Sequence, residues 1–219
     1  MSKRSFTPSK LPVTILTGFL GSGKITLLNH LLTENHGKKF AIIENKVGEV
    51  GVNDLLIRQV TSPNDLIGDP QTQWSHNQLD GIIIETTGMA GPGPVVQTFF
   101  AEPLVAATCE LDGIITVVDA KHILQHLRPG AGVEHECQEQ IAFADRVLLN
   151  KTDLVTKTEL KEIQSQICGI NSAVSITECQ HCRVDSALLL NAQTFDLNSI
   201  LKRQPDFLKT NKDNRQDTG

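Results

Sequence analysis

The sequence predicts an α/β fold, a mostly parallel sheet with helices on both faces, and three observations carry that expectation. Short apolar runs rich in β-branched residues alternate with longer segments of helical period. A glycine-rich turn, "LTGFLGSGKIT" at Leu16–Thr26, leads from the first apolar run into a helical segment. The other polar motifs fall at the carboxyl ends of the expected strands, where open parallel sheets bind their ligands.

In chain order, strands are expected at Val13–Thr17, Phe40–Glu44, Gly81–Glu85, Gly113–Val118, Arg146–Asn150 and Val174–Thr177, each a short apolar run. Helices are expected at Lys24–Thr33, Pro94–Glu102, His122–Leu127, Gln138–Ala144 and Lys157–Cys168. That alternation is the pattern of a parallel sheet covered on both sides. Val60–Gln78 is polar, carries two prolines and has no period, so it reads as a long loop. Residues 1–10 read as a flexible start and residues 209–219 as a solvated tail, leaving 11–208 as one domain.

Composition narrows the function classes. With 219 residues, 39% of them hydrophobic, the chain can bury one good-sized core. A net charge of −5 without a long basic run argues against nucleic acid and anionic membranes as partners. No apolar stretch follows the basic first residues, which points to a cytoplasmic or organelle-matrix setting. The five cysteines, an odd number without a secretion signal, are expected as reduced thiols.

The glycine-rich turn is a phosphate-binding loop, or P-loop, with one departure. Gly18, Gly23 and Lys24 satisfy the pattern G-x-x-x-x-G-K-[ST], but Ile25 occupies the hydroxyl position. Successive backbone N–H groups of Gly18, Gly21, Ser22 and Gly23 and the positive helix end favour phosphate, and Lys24 reaches the β- and γ-phosphates as a point charge. Ile25 removes one ligand from the octahedral Mg²⁺ shell. Thr26, turned by roughly 100° around the helix, is expected to face away from that place. Phosphate binding should survive while Mg²⁺ coordination and turnover weaken.

Two further strand ends complete the expected site. Asn150-Lys151-Thr152-Asp153 closes a strand, and an Asp153 carboxylate can accept hydrogen bonds from guanine N1–H and N2–H₂, a donor pair adenine lacks. Lys151 would lay its stem along the base and Asn150 would fix the turn. Glu85, followed by Thr86, Thr87 and Gly88, can hold Mg²⁺ through water or orient an attacking water, with Gly88 letting the backbone approach the γ-phosphate. The alternative is that Glu85 caps the next segment.

Together "TGFLGSGKITLLNHLL", "AIIENKVGEVG", "IIIETTGMAGPGPVVQTFF", "LDGIITVVDAKHILQHL" and "QIAFADRVLLNKTDLV" resemble the CobW-type GTPases of the CobW/HypB/UreG group, nucleotide-dependent metallochaperones associated mainly with zinc and cobalt. The resemblance runs from about Val13 to Leu208. It implies a P-loop NTPase of the G-domain type, GTP and GDP with Mg²⁺ as ligands, Zn²⁺ or Co²⁺ as cargo, and a client metalloprotein as partner. It also implies Lys24 and Glu85 as catalytic residues and Glu44, Glu49 and Glu85 as metal ligands. Against the family pattern, Ile25 replaces the loop threonine, Lys46 replaces a second acid, and Gly91 replaces an aspartate. The C-x-C-C metal motif expected between Gly51 and Asp80 is missing, and the smaller C-terminal domain is expected to be absent. Without thiolates, Glu44 and Glu49 would make a weak, oxygen-rich zinc site.

Other metal-ligand candidates remain. Cys179-x-x-Cys182 with His135 and Cys137 offers four ligands from separate segments, although cysteines of this kind are more often small core residues. His122 and His126, at i and i+4, suit a metal only with a third ligand, and otherwise form a solvated helix face. Trp74 reads as a lid, a partner contact or a cover for the core.

Overall fold

The computed structural model describes residues 10–34, 37–45, 79–190 and 192–208. Its centre is a sheet of six parallel strands in the order β2-β3-β1-β4-β5-β6. The strands are β1 (Leu11–Thr17), β2 (Phe40–Asn45), β3 (Gly81–Thr86), β4 (Cys109–Asp119), β5 (Arg146–Asn150) and β6 (Ser175–Glu178). The helices are α1 (Lys24–Thr33), α2 (Gly93–Ala101), α3 (Pro103–Thr108), α4 (Ile123–His126), α5 (Glu134–Phe143), α6 (Lys157–Ile170) and α7 (Leu197–Arg203).

Alternation along the strands divides the core into two layers. Ile82 and Ile84 of β3 pack with Val96 and Phe99 of α2, whereas Ile83 turns to the other face and meets Leu27, Leu28 and Leu31 of α1. The same split recurs on β5. There Val147 and Leu149 meet Ile163 and Ile167 of α6, while Leu148 joins the α1 face. Strands flanked on both sides must be apolar throughout, which is why β3 reads Gly-Ile-Ile-Ile rather than alternating with polar residues.

Each expected strand and helix has a counterpart, and the differences have local causes. β4 begins at Cys109, four residues before the expected Gly113, because Leu11 to Val13 of β1 run on to pair with Cys109 to Leu111. Helix α5 starts at Glu134 rather than Gln138, its first turn carrying the acids Glu134 and Glu136 that favour a helix N-terminus. Helices α3 and α7 escape the pattern because each is short. Pro103 opens α3 and the Asp196 side chain caps α7 by accepting from the backbone N–H of Asn198 at 3.0 Å. Helix α6 has a full capping box, Thr156 with Glu159. The expected flexible start, the loop Val60–Gln78 and the tail after Leu208 lie outside the described residues, as do Lys46, Glu49 and Trp74.

Candidate nucleotide site

Strand β1 delivers the phosphate loop, and its end is fixed to β3 by a hydrogen bond from the Thr86 hydroxyl to that of Thr17, 2.8 Å long. The loop turns through left-handed backbone at Gly23, φ 117°. A Cβ there would also stand 2.6 Å from Asn150 Nδ2 and 2.9 Å from Cys182 Sγ, so glycine is required both for conformation and for space. Lys24 opens α1 and is only 7% exposed. Its ammonium bends back over the loop and donates to the carbonyls of Gly18 at 2.6 Å and Phe19 at 3.3 Å. Burial lowers its pKa, and the nearby Glu85 carboxylate opposes that effect. The buried Ser22 hydroxyl has no partner among the described residues, an open donor in a loop shaped for phosphate oxygens.

Beside the loop lies a cavity of about 700 Å³ whose lining includes Lys24, Ile25, Thr26, Glu44, Glu85 and Thr87. Glu44 and Glu85 are register partners on the adjacent parallel strands β2 and β3, so the sheet itself brings the two carboxylates together. Burial raises the Glu85 pKa, Lys24 pulls it down, and Glu44 pushes it up again. Ile25 is 69% exposed at this cavity and offers no oxygen. Thr26, expected from helix geometry to face away, lines the same cavity. The donors available are oxygens, which suit a hard cation such as Mg²⁺ better than zinc. Among the described residues no group of three or more His, Cys, Asp or Glu side chains is arranged to hold a metal ion. Glu49 falls outside those residues.

The turn Asn150–Asp153, expected from the sequence to read the base, is joined directly to the phosphate loop. Asn150, 2% exposed at the end of β5, donates from Nδ2 to the Ser22 carbonyl at 3.0 Å. Its Oδ1 accepts from the backbone N–H of Cys182 at 3.0 Å. Lys151 takes left-handed backbone, φ 61°, and its ammonium donates to the Gly21 carbonyl at 2.8 Å and to Asp119 at 2.7 Å. Asp153 is exposed in the short turn Thr152–Leu154 that follows.

Asp119 and Gln140 were not singled out by sequence reasoning. Asp119, at the end of β4, accepts from Lys151 and from His122 Nδ1 at 2.9 Å. Burial alone would raise its pKa, but these bonds outweigh burial and hold it low. The only sequence signal was its place as the polar end of an apolar strand. Gln140, 1% exposed on α5, donates to the carbonyls of Gly88 at 3.1 Å and Ala90 at 3.2 Å, fixing the segment after Glu85. Gly91 lies so close to the Glu139 carboxylate that any Cβ there would overlap it. These atoms are the far end of a flexible side chain, so a residue at position 91 needs only the Glu139 carboxylate to swing aside, although an acidic one would set two like charges together.

The remaining metal candidates separate. Cys179 and Cys182 are buried in the α1-side core, Cys137 is buried on α5, and His135 is exposed. His122 bonds Asp119, while the His126 ring lies against Phe19 with centroids 4.3 Å apart. Burial lowers the His126 pKa, as does neighbouring His122, with Asp119 opposing.

Comparison with known proteins bears directly on this arrangement. The profile of the CobW/HypB/UreG nucleotide-binding domain matches residues 12–69 and 63–178. The chain belongs to this family. It is 36% identical to the zinc chaperone YjiA of Escherichia coli, the match covering 90% of this chain and 66% of the relative. It is 33% identical to zinc-regulated GTPase metalloprotein activator 1 of Schizosaccharomyces pombe, over 82% of this chain and 48% of that protein. The crystal structure of Zn(II)-bound YjiA GTPase from E. coli superimposes with a TM-score of 0.64 at 33% identity, covering 86% of this chain and 64% of that one. The chain therefore spans about half to two thirds of the length of these relatives. Membership makes the fold a P-loop NTPase and the chain a CobW-like nucleotide-binding domain. No described helix is long and apolar enough to cross a membrane.

Proposed function

We propose that this CobW-like domain, with residues 11–208 as its body, binds guanine nucleotide and hydrolyses GTP to GDP and phosphate in support of zinc or cobalt delivery to a client metalloprotein. The observation that carries the reading is the coupling of the two halves of the site through Asn150. The residue at the head of the base-reading turn donates into the phosphate loop at Ser22. Phosphate and base recognition thus belong to one hydrogen-bonded unit.

In this reading Lys24 and the Gly18, Gly21, Ser22 and Gly23 backbone hold the phosphates. On binding, Lys24 exchanges neutral carbonyl acceptors for phosphate oxygens, a stronger charge-assisted pairing. Asp153, exposed and unencumbered by burial, accepts from the guanine edge, and the Lys151 stem lies along the ring. Glu85 orients water or the cation, its proton affinity raised by burial and by Glu44 against the opposing Lys24 charge. Mg²⁺, when bound, neutralises charge on the transferred phosphoryl group. Glu85, Glu44 and Thr26, which line the cavity, would supply the oxygens on the protein side, and the Ile25 side chain would supply none.

Turnover is therefore slow relative to a loop with threonine at position 25. The exposed Ile25 in the cavity also supports a second reading, a nucleotide-binding module that regulates a partner without catalysis. The names of two relatives, which describe zinc chaperones, support the cargo part of this reading. Lacking C-x-C-C, Glu44 and Glu49 would hold zinc only weakly.

A titration of the protein with fluorescent GDP, competed by GTP and ATP with Mg²⁺ and with a chelator, tests the proposal alongside phosphate release. Guanine-selective binding with Mg²⁺-dependent phosphate release supports the GTPase. Tight GDP binding without turnover supports the regulatory module, and equal competition by ATP overturns the base assignment.

A further inference from the structure

The segment Cys179-Gln180-His181-Cys182 follows β6 and lies directly behind the phosphate loop. Cys182 Sγ donates to the Gly23 carbonyl at 3.3 Å, and the Cys182 N–H donates to Asn150 Oδ1 at 3.0 Å. Cys179 Sγ donates to the same Asn150 oxygen at 3.7 Å. Both cysteines thus converge on the side chain that joins the base-reading turn to the P-loop. His181 and Cys182 hold left-handed backbone, φ 52° and 55°, which non-glycine residues adopt rarely.

We propose that Cys179 and Cys182 form a reversible dithiol–disulfide site that sets the guanine-nucleotide affinity of the domain. The proposal rests on the nucleotide-binding reading above. Geometry supplies the pair, since the Cys179 thiol and the Cys182 backbone N–H donate to the same Asn150 oxygen while the Cys182 thiol donates to the adjoining Gly23 carbonyl. Chemistry supplies the asymmetry: once Cys179 is ionised the Cys182 S–H can turn to donate to its thiolate, which lowers the pKa of Cys179 and raises that of Cys182, burial opposing the first effect and adding to the second. Cys179 is the attacking sulfur and Cys182 the resolving one. Cys109 and Cys137 contrast with them, for burial raises both their pKa values, Cys137 to about 11.

With hydrogen peroxide as oxidant, the Cys179 thiolate attacks one oxygen, the O–O bond breaks, and hydroxide leaves as a sulfenic acid forms. The Cys182 sulfur then displaces hydroxide from that sulfenic sulfur, forming the S–S bond. Two thiols are oxidised, one peroxide is reduced, and the two thiol protons leave in two molecules of water. The disulfide retains no S–H. The Gly23 carbonyl and Asn150 Oδ1 each lose a donor, the clamp between turn and P-loop loosens, and GDP binds about tenfold more weakly. A dithiol reductant reverses the step by exchange.

The test uses the full chain carrying Cys168→Ser, which removes the exposed thiol. Three quantities are read before peroxide, after it, and after reduction: the mass of the peptide containing both cysteines, amide hydrogen exchange at Gly23 and Lys24, and the Kd for fluorescent GDP. A reversible 2 Da loss, faster exchange at the P-loop and about tenfold weaker GDP binding support the proposal, as does loss of all three responses in Cys179→Ser. Absence of the mass change overturns it, as does a disulfide that leaves P-loop exchange unaltered, or one that leaves Kd unaltered in a protein that binds GDP. Failure of the reduced protein to bind GDP overturns the nucleotide reading, and with it the control of affinity; the mass and exchange readouts then report the thiol pair separately.

Discussion

The side-chain amide of Asn150 donates 3.0 Å to the carbonyl of Ser22, although 128 residues separate the two in the chain. This bond joins the end of β5 to the loop after β1. Its partner interactions, from the Cys182 N–H to Asn150 and from Lys151 to Gly21, close the remaining sides of the junction.

Replacing Asn150 by alanine leaves a buried carbonyl and a buried N–H without their partner. The expected cost is about 3 kcal/mol in urea unfolding, with GDP affinity falling alongside. Unchanged stability would show that water or loop movement repairs the junction.

Lys24→Ala removes the buried ammonium that bonds the Gly18 and Phe19 carbonyls of the phosphate loop. Nucleotide affinity should fall about 100-fold in the GDP titration while far-UV circular dichroism stays the same, because a point charge against phosphate is a charge-assisted pairing.

Ile25→Thr puts a hydroxyl in the first turn of α1, at the cavity that Glu44 and Glu85 also line. Phosphate release from GTP should rise about tenfold or more and become steeply dependent on Mg²⁺. An equal rate in both proteins would show that Thr26 or water already serves the cation.

Asp153→Ala deletes the acceptor for the guanine donors. GTP affinity should fall by about 1–3 kcal/mol, with ATP hardly affected, so competition against fluorescent GDP loses its preference for guanine. The exposure of Asp153 predicts little change in melting temperature.

Burial raises the Asp145 pKa from 3.8 to about 7, with hydrogen bonds from the Ile114 and Asp196 backbones opposing. Below about pH 4 the carboxyl is protonated in both folded and unfolded chains. Between about 4 and 7 the unfolded chain releases the proton and the folded one keeps it, so this group's contribution to stability falls as pH rises through that window and is flat above it. Asp145→Asn should therefore unfold at higher urea than the parent at pH 8, by about 2–4 kcal/mol, and the gap should close towards pH 4.

The legible parts of this protein are those written in consecutive residues. The parallel layers follow from apolar runs such as Gly81–Glu85, and the loop at Gly18–Lys24 follows from glycines whose turn any reader can place. The register of Glu44 with Glu85 required knowing that β2 and β3 are neighbours, which no local pattern states. Short helices at Pro103–Thr108 and Leu197–Arg203 were missed because their length gives periodicity too little to repeat.

By itself the sequence determined the fold class, the P-loop and its missing hydroxyl at Ile25, and it pointed to Asn150–Asp153 as the proposed base-reading turn, because backbone conformation and strand-end chemistry are set by residue types a few positions apart. Only the tertiary structure decided what joins them. Asn150 against Ser22, Cys182 against Gly23, Gln140 against Gly88 and Glu139 against Gly91 are contacts across elements, fixed by strand order and helix packing. Cys-x-x-Cys, which read as a zinc grip or as core residues in the sequence, became the support of the nucleotide loop for the same reason.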